Sequence, residues 1–352
     1  MIQALRDVQA AQGATFAETV AQPIPIDFGN NRTALEAART GVALYDRSHW
    51  GRILLTGDDR LRFLHNQTTN NIQALKPSQG CDTVFVNSTG RTIDLVTAYV
   101  LDDAILLLTS PGYSQKLMEW MDRFIFFADK VEPKDITEST IAFTLLGTGS
   151  AALMNELGLE AITNQPAASH QVFRLGDMEI RAAVGSGLTT PGYTLIAGSQ
   201  HAASLWQRLT AAGAVPLGEQ AWEELRIAEG RPVPGRELTE DVNPLEAGLW
   251  DTISLSKGCY IGQETIARLH TYKGVKQQLW GVRLSQPAEP ETPIFNGEEK
   301  IGKLTSCVET EAGWLGLAYI RTKAIAPELA VQVNGNAAEL AALPYVTHEY
   351  PA

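Results

Sequence analysis

The sequence predicts an α+β protein: two α/β units with antiparallel sheets, followed by a small all-β module. Three observations carry that reading. The apolar and β-branched runs at 83–86, 92–101 and 104–109 are parted by Asn-Ser-Thr-Gly and Asp-Asp turns, the pattern of an antiparallel meander. From Ile141 the alternation of strand and helix signals starts again. After about Gln277 only short strand-like segments remain, separated by Pro- and Gly-containing turns.

Taken in order, Leu5, Val8 and Ala11 recur at spacings of three and predict a short amphipathic helix ending near Gly13. A helix is expected at 33–40 and a strand at 53–56, followed by a helix capped by Asp58 with Leu61, Phe63 and Leu64 on its apolar side. The meander comes next. A helix from Tyr113 to about Asp129 should cover one of its faces, because Leu117, Trp120, Met121, Phe124 and Phe127 recur at three and four and read as core. The second unit is expected to contain strands at 141–146, 171–175, 179–184 and 193–197, with helices at 150–157, 200–212 and 219–229. The Gly- and Pro-rich stretch 230–235 reads as a connector. Strands at 279–284, 300–308, 314–319 and 329–333 make up the last module.

A chain of 352 residues exceeds what one hydrophobic core usually supports, so two or three domains are expected, and the strand-only end after about Gln277 makes the count three. Hydrophobic residues at 44% and charged residues at 19% describe a soluble globular protein. The net charge of −12 argues against a broad nucleic-acid or membrane footprint, since both need clustered Lys and Arg. Cys81, Cys259 and Cys307 are odd in number and far apart, which points to a reducing compartment rather than a disulfide framework. With no C-x-x-C pair, no metal site supplied by this chain alone is expected. The first residues lack the basic start and apolar run of a secretory signal, and no stretch approaches the roughly 18 apolar residues of a membrane span. A cytoplasmic protein is therefore expected.

The segment Lys257-Gly258-Cys259-Tyr260-Ile261-Gly262-Gln263-Glu264 carries the densest chemistry. It sets a glycine-preceded cysteine among a lysine, a phenol, an amide and a carboxylate. The glycines leave the backbone free for tight turning or close approach, and the nearby cation favours thiolate over thiol at Cys259. Between Lys257 and Lys276, Lys257, Arg268, Lys273 and Lys276 stand against Glu264 alone. His49 and His270 lack the spacing of a nucleophile pair or metal clamp and read as structural. No H-E-x-x-H, P-loop or G-x-G-x-x-G pattern occurs.

That segment resembles the signature K-G-C-[FY]-x-G-Q-E of the YgfZ-type folate-binding proteins, relatives of the glycine-cleavage T-protein (aminomethyltransferase, GcvT) family. Further matches follow along the chain. Residues Ala43 to Gly51 resemble the T-protein segment L-x-D-x-S-H-x-G. Asn87-Ser88-Thr89-Gly90-Arg91-Thr92-Ile93-Asp94 resembles its N-x-x-G-x-x-x-D hairpin, and Leu225-Arg226-Ile227-Ala228-Glu229-Gly230 its L-R-[IL]-E-A-G helix end.

The resemblance implies a GcvT-like three-domain ring in which the first two domains interleave, 1–48 with 139–228 and 49–138 with 229–276, while 277–352 forms a small C-terminal β-barrel. It also implies binding of tetrahydrofolate or a one-carbon derivative. Asp94 would stand beside the reactive nitrogen of the pterin, and Arg226, Lys257, Tyr260, Gln263, Glu264 and Arg268 would be further binding residues. Cys259 and Asp94 would carry the chemistry. The YgfZ branch implies an accessory role in assembly or repair of iron–sulfur enzymes, with those enzymes or cluster carrier proteins as partners. The alternative is a folate-dependent aminomethyl- or methyltransferase of the T-protein type. Against it, Gly187-Leu188-Thr189-Thr190-Pro191-Gly192-Tyr193-Thr194 stands where T-proteins read approximately Y-T-G-E-D-G-[FY]-E, and every acid of that segment is gone. Leu95 likewise replaces a second acid next to Asp94.

Overall fold

The computed structural model describes residues 2–17, 23–326 and 329–350. The chain divides into two compact units: Met1–Phe63, Ile72–Asp82 and Val96–Trp222 form the first, and Leu64–Asn71, Thr83–Leu95 and Glu223–Ala352 the second.

In the first unit a six-stranded sheet runs in the order His170–Leu175, Met178–Val184, Gly192–Gly198, Thr140–Leu146, Ala43–Asp46, Val215–Leu217. Only the last pairing is parallel. Leu5 from the helix Ile2–Ala11 and Leu205, Trp206 and Leu209 from the helix Ala202–Ala211 share a core with strand residues such as Phe143 and Leu195. Phe143 meets Trp206 edge to face at 5.3 Å, a favoured aromatic geometry. A five-stranded sheet runs Gly80–Val86, Thr92–Val100, Ala104–Pro111, Trp50–Thr56, Glu132–Asp135. Unit membership changes part-way along its first two strands, so 83–95 belong to the second unit.

The helix expected to reach Asp129 stops at Asp122. Leu117 and Met121 are buried as anticipated, Trp120 and Phe124 only partly, and Phe126 and Phe127 are exposed. The cause is local. The Phe126 N–H donates to Asp129 Oδ2, Arg62 clamps Asp129, and the resulting turn ends the 3.6-residue period before Phe127 can share the buried face.

In the second unit the last residues close a six-stranded barrel in the order Gln277–Leu284, Gly313–Arg321, Glu299–Thr310, Pro293–Asn296, Val331–Val333, Asn336–Ala341. The final strand pairs back onto the first, with Gly281 opposite Ala341. Two of these strands escape sequence reading. Pro293–Asn296 is short and starts with proline, and Asn336–Ala341 is rich in residues of low strand propensity. Closure of the barrel, which removes exposed edges, puts them in place. The helix Gln263–Thr271, directly after the cysteine loop, was likewise not anticipated. Among the described residues no helix is long and apolar enough to cross a membrane.

Candidate functional site

The cysteine loop belongs to the second unit and is held from inside. The Lys257 ammonium, on a side chain 7% exposed, donates to the carbonyl oxygens of His65 and Thr68 at 2.6 Å and of Asn70 at 2.7 Å. Three donors meeting three carbonyls is full use of an ammonium group. Tyr260 lies over the same cation at 4.6 Å, and burial pushes its phenol up to about 12. The Ile261 N–H adds a bond to the Asn66 carbonyl. Lys257 is thus committed to the backbone of 65–70, and the Cys259 it precedes is exposed.

The two glycines of the loop differ. Gly262 has φ +79° and caps the helix Gln263–Thr271; a Cβ there would stand 2.6 Å from the Asn87 carbonyl oxygen and 2.7 Å from the Gly90 Cα. Gly258 has no such conformation, and a Cβ on it would meet only His65 Nε2 at 3.9 Å. The contact of Gly262 with Asn87 and Gly90 joins two motifs that are remote in sequence. The turn is closed by the Gly90 N–H donating to the Asn87 carbonyl, while Asn87 Oδ1 accepts from the Thr89 and Arg91 N–H groups. Asp94, fully buried, follows on the next strand.

Arg226 is 0% exposed and sits in an internal ion network. Its Nε donates to Glu223 at 2.7 Å, Nη1 to Glu237 at 3.0 Å and Nη2 to Ser306 Oγ at 2.8 Å, with a further short bond from Nη2 to Glu223. Glu237 in turn accepts from the hydroxyls of Thr305 and Ser306. Burial works to lower the Arg226 pKa, but the two carboxylates outweigh it and raise it. Of the other candidates, Gln263 is half-buried and its N–H donates to the Tyr260 carbonyl, whereas Glu264 and Arg268 are exposed. The sites of Cys259, Asp94, Arg226, Lys257, Tyr260, Gln263, Glu264 and Arg268 all fall in the second unit. Sequence reading missed Glu237, Ser306 and the carbonyls of 65–70. Ser306 lies 80 positions from Arg226 and the carbonyls of 65–70 at least 187 from Lys257, separations that leave no local pattern, while Glu237 is 11 positions from Arg226 across the connector that ends its helix.

The segment that departs from the T-protein pattern belongs to the first unit. The Thr194 hydroxyl donates to the Gly185 carbonyl, and the neighbouring Ser186 hydroxyl to the Thr190 carbonyl. Also in this unit, His49 Nε2 lies 3.7 Å from the Glu219 carboxylate, while its buried Nδ1 has no hydrogen bond among the described residues. Burial takes the His49 pKa down to about 4. His270, in the second unit, packs against Trp250 and Tyr350.

The GCVT N-terminal domain family model matches residues 5–257. The chain belongs to that family. A chloroplastic transferase-like protein of Arabidopsis thaliana is 47% identical over 327 residues, 92% of this chain and 76% of the relative. An aminomethyltransferase of Bacillus mycoides is 27% identical over 346 residues, 94% of this chain and 92% of that protein. The crystal structure of glycine cleavage system aminomethyltransferase T from Bartonella henselae matches with a TM-score of 0.84 at 19% identity, covering 99% of this chain and 98% of that one. This likeness establishes the GCVT-type fold, mixed α/β with antiparallel sheets and a closed C-terminal barrel.

Proposed function

We propose that this chain is a tetrahydrofolate-binding protein of the YgfZ type that supports assembly or repair of iron–sulfur enzymes, with Cys259 as its working thiol. One observation carries the reading: Cys259 is exposed while Lys257 and Gly262 on either side of it are packed against the fold. Cysteine kept for packing is ordinarily buried, whereas soft-metal and sulfur chemistry needs an accessible thiolate. Among the described residues no group of three or more His, Cys, Asp or Glu side chains is disposed to hold a metal. In this reading the cluster is cargo, and its other ligands come from a client or carrier protein. An exposed free thiol suits a reducing compartment such as the cytoplasm.

Bound tetrahydrofolate would supply a one-carbon carrier. The residue types fit its two ends. A buried carboxylate at Asp94, the exposed carboxylate of Glu264 and the half-buried Tyr260 and Gln263 suit the donor edge of a pterin, and the exposed Arg268 suits recognition of the glutamate tail. Arg226 and Lys257, whose donors are spent internally, act as positioning residues.

The second reading is aminomethyl or methyl transfer to folate, with Asp94 as acid–base group. Family membership and the aminomethyltransferase relatives favour it. The lost acids at Thr190 and Thr194 weigh against it. The two readings separate in cells lacking the protein. Cys259→Ser should fail to restore iron–sulfur enzyme activity while binding tetrahydrofolate normally by isothermal titration. Full rescue by Cys259→Ser together with failure of Asp94→Asn would hand the assignment to transfer chemistry. Absence of any binding heat at millimolar tetrahydrofolate would remove the folate part.

A further inference from the structure

We infer that the outward face of the helix Gln263–Thr271, with the turn that follows it, is a docking surface for an acidic segment of a partner protein. The inward face is settled: Ile266 is fully buried and Leu269 packs on the same core. The outward face carries Arg268, Thr271, Tyr272, Lys273 and Lys276, all exposed. Tyr272 is 78% exposed, and Leu255, on the approach to the cysteine loop, is 42% exposed.

Charge identifies the occupant. Between 263 and 276 three cations face the single carboxylate Glu264, in a chain whose net charge is −12. Lys276 acts electrostatically on the largely buried Glu246, Lys273 lies 5.9 Å from the Tyr350 ring, and Arg268 makes no ion pair among the described residues. Arg and Tyr are residue types enriched in protein interfaces, and exposed lysines at a rim steer an oppositely charged partner. The exposed Tyr272 adds apolar surface among these cations. An acidic protein segment with apolar residues satisfies both features.

Cys259, exposed just before the helix, is a built-in reporter. The probe is an oligoglutamate peptide carrying a 2-pyridyl disulfide, compared with oligoserine and oligolysine peptides of equal length. The Cys259 thiolate attacks the peptide sulfur, the S–S bond breaks, and 2-thiopyridone leaves with the electron pair. Released thione gives the rate, and peptide mapping assigns it to Cys259. At about 0.02 M salt the glutamate peptide should react roughly 10-fold faster than serine and the lysine peptide more slowly, with the ratios shrinking toward one near 0.5 M salt. The variant K273E/K276E, folded by circular dichroism, should lose the glutamate preference. Equal rates for the three peptides, or a preference unchanged in K273E/K276E, would overturn the inference. The readout involves neither folate nor client enzymes, so its failure is distinct from failure of the proposed function.

Discussion

The Lys257 ammonium donates to the carbonyl oxygen of His65 at 2.6 Å across 192 positions of sequence. With the Thr68 and Asn70 carbonyls it turns the lysine of the cysteine loop into a backbone staple.

Lys257→Met should therefore loosen the loop before it alters any chemistry. Three buried carbonyls lose a charged donor, and each unsatisfied acceptor carries a desolvation cost, so a loss of about 2–4 kcal/mol is expected. Urea denaturation measures it, and hydrogen exchange should show faster exchange at the Ile261 N–H. An unchanged midpoint would mean that water replaces the ammonium fully.

The glycines should respond unequally. Gly262→Ala forces a Cβ to 2.6 Å from a backbone carbonyl at positive φ, and should cost about 1–3 kcal/mol while unseating the Asn87–Gly90 turn. Gly258→Ala meets only the edge of His65 and should fold like the parent. Thermal melts of the two variants decide; equal melting temperatures would contradict the geometry.

Arg226→Gln leaves Glu237 fully buried without its counter-charge. Breaking a buried pair from one side costs about 3–5 kcal/mol, whereas removing both charges costs less. Arg226→Gln/Glu237→Gln should accordingly be more stable than Arg226→Gln alone. Denaturant midpoints in a double-mutant cycle test this, and strict additivity would refute the coupling.

Stability should fall on mild acidification. Burial, then Arg181, takes the His170 pKa from 6.5 down to about 4. Its Nδ1 faces the Arg181 guanidinium at 2.9 Å and its Nε2 the Val100 carbonyl at 3.0 Å, so the folded state favours the neutral ring. A depressed folded pKa means that stability is complete above pH 6.5 and drains as pH falls toward 4. His49, taken down to about 4 in the same way, adds to the slope. His170→Gln should flatten, without abolishing, the decline in melting temperature between those limits.

The sequence by itself determined the α+β class, most strands and helices, the all-β end of the chain and the eight-residue loop around Cys259. Those features are local: a period, a turn dipeptide or a contiguous motif declares them without reference to distant residues. Tertiary structure alone decided what the motif residues do. The period that placed Phe127 in the core ended at a turn made by Asp129 and Arg62. The barrel strands Pro293–Asn296 and Asn336–Ala341 exist because a sheet edge must be closed. Lys257 and Arg226 read as ligand-facing cations in one dimension, yet a charged group taken out of water must find partners wherever the fold offers them. The carbonyls of 65–70 and the Glu237 carboxylate were those partners, and only folding brought them within reach, whereas Glu223 stands one helical turn from Arg226.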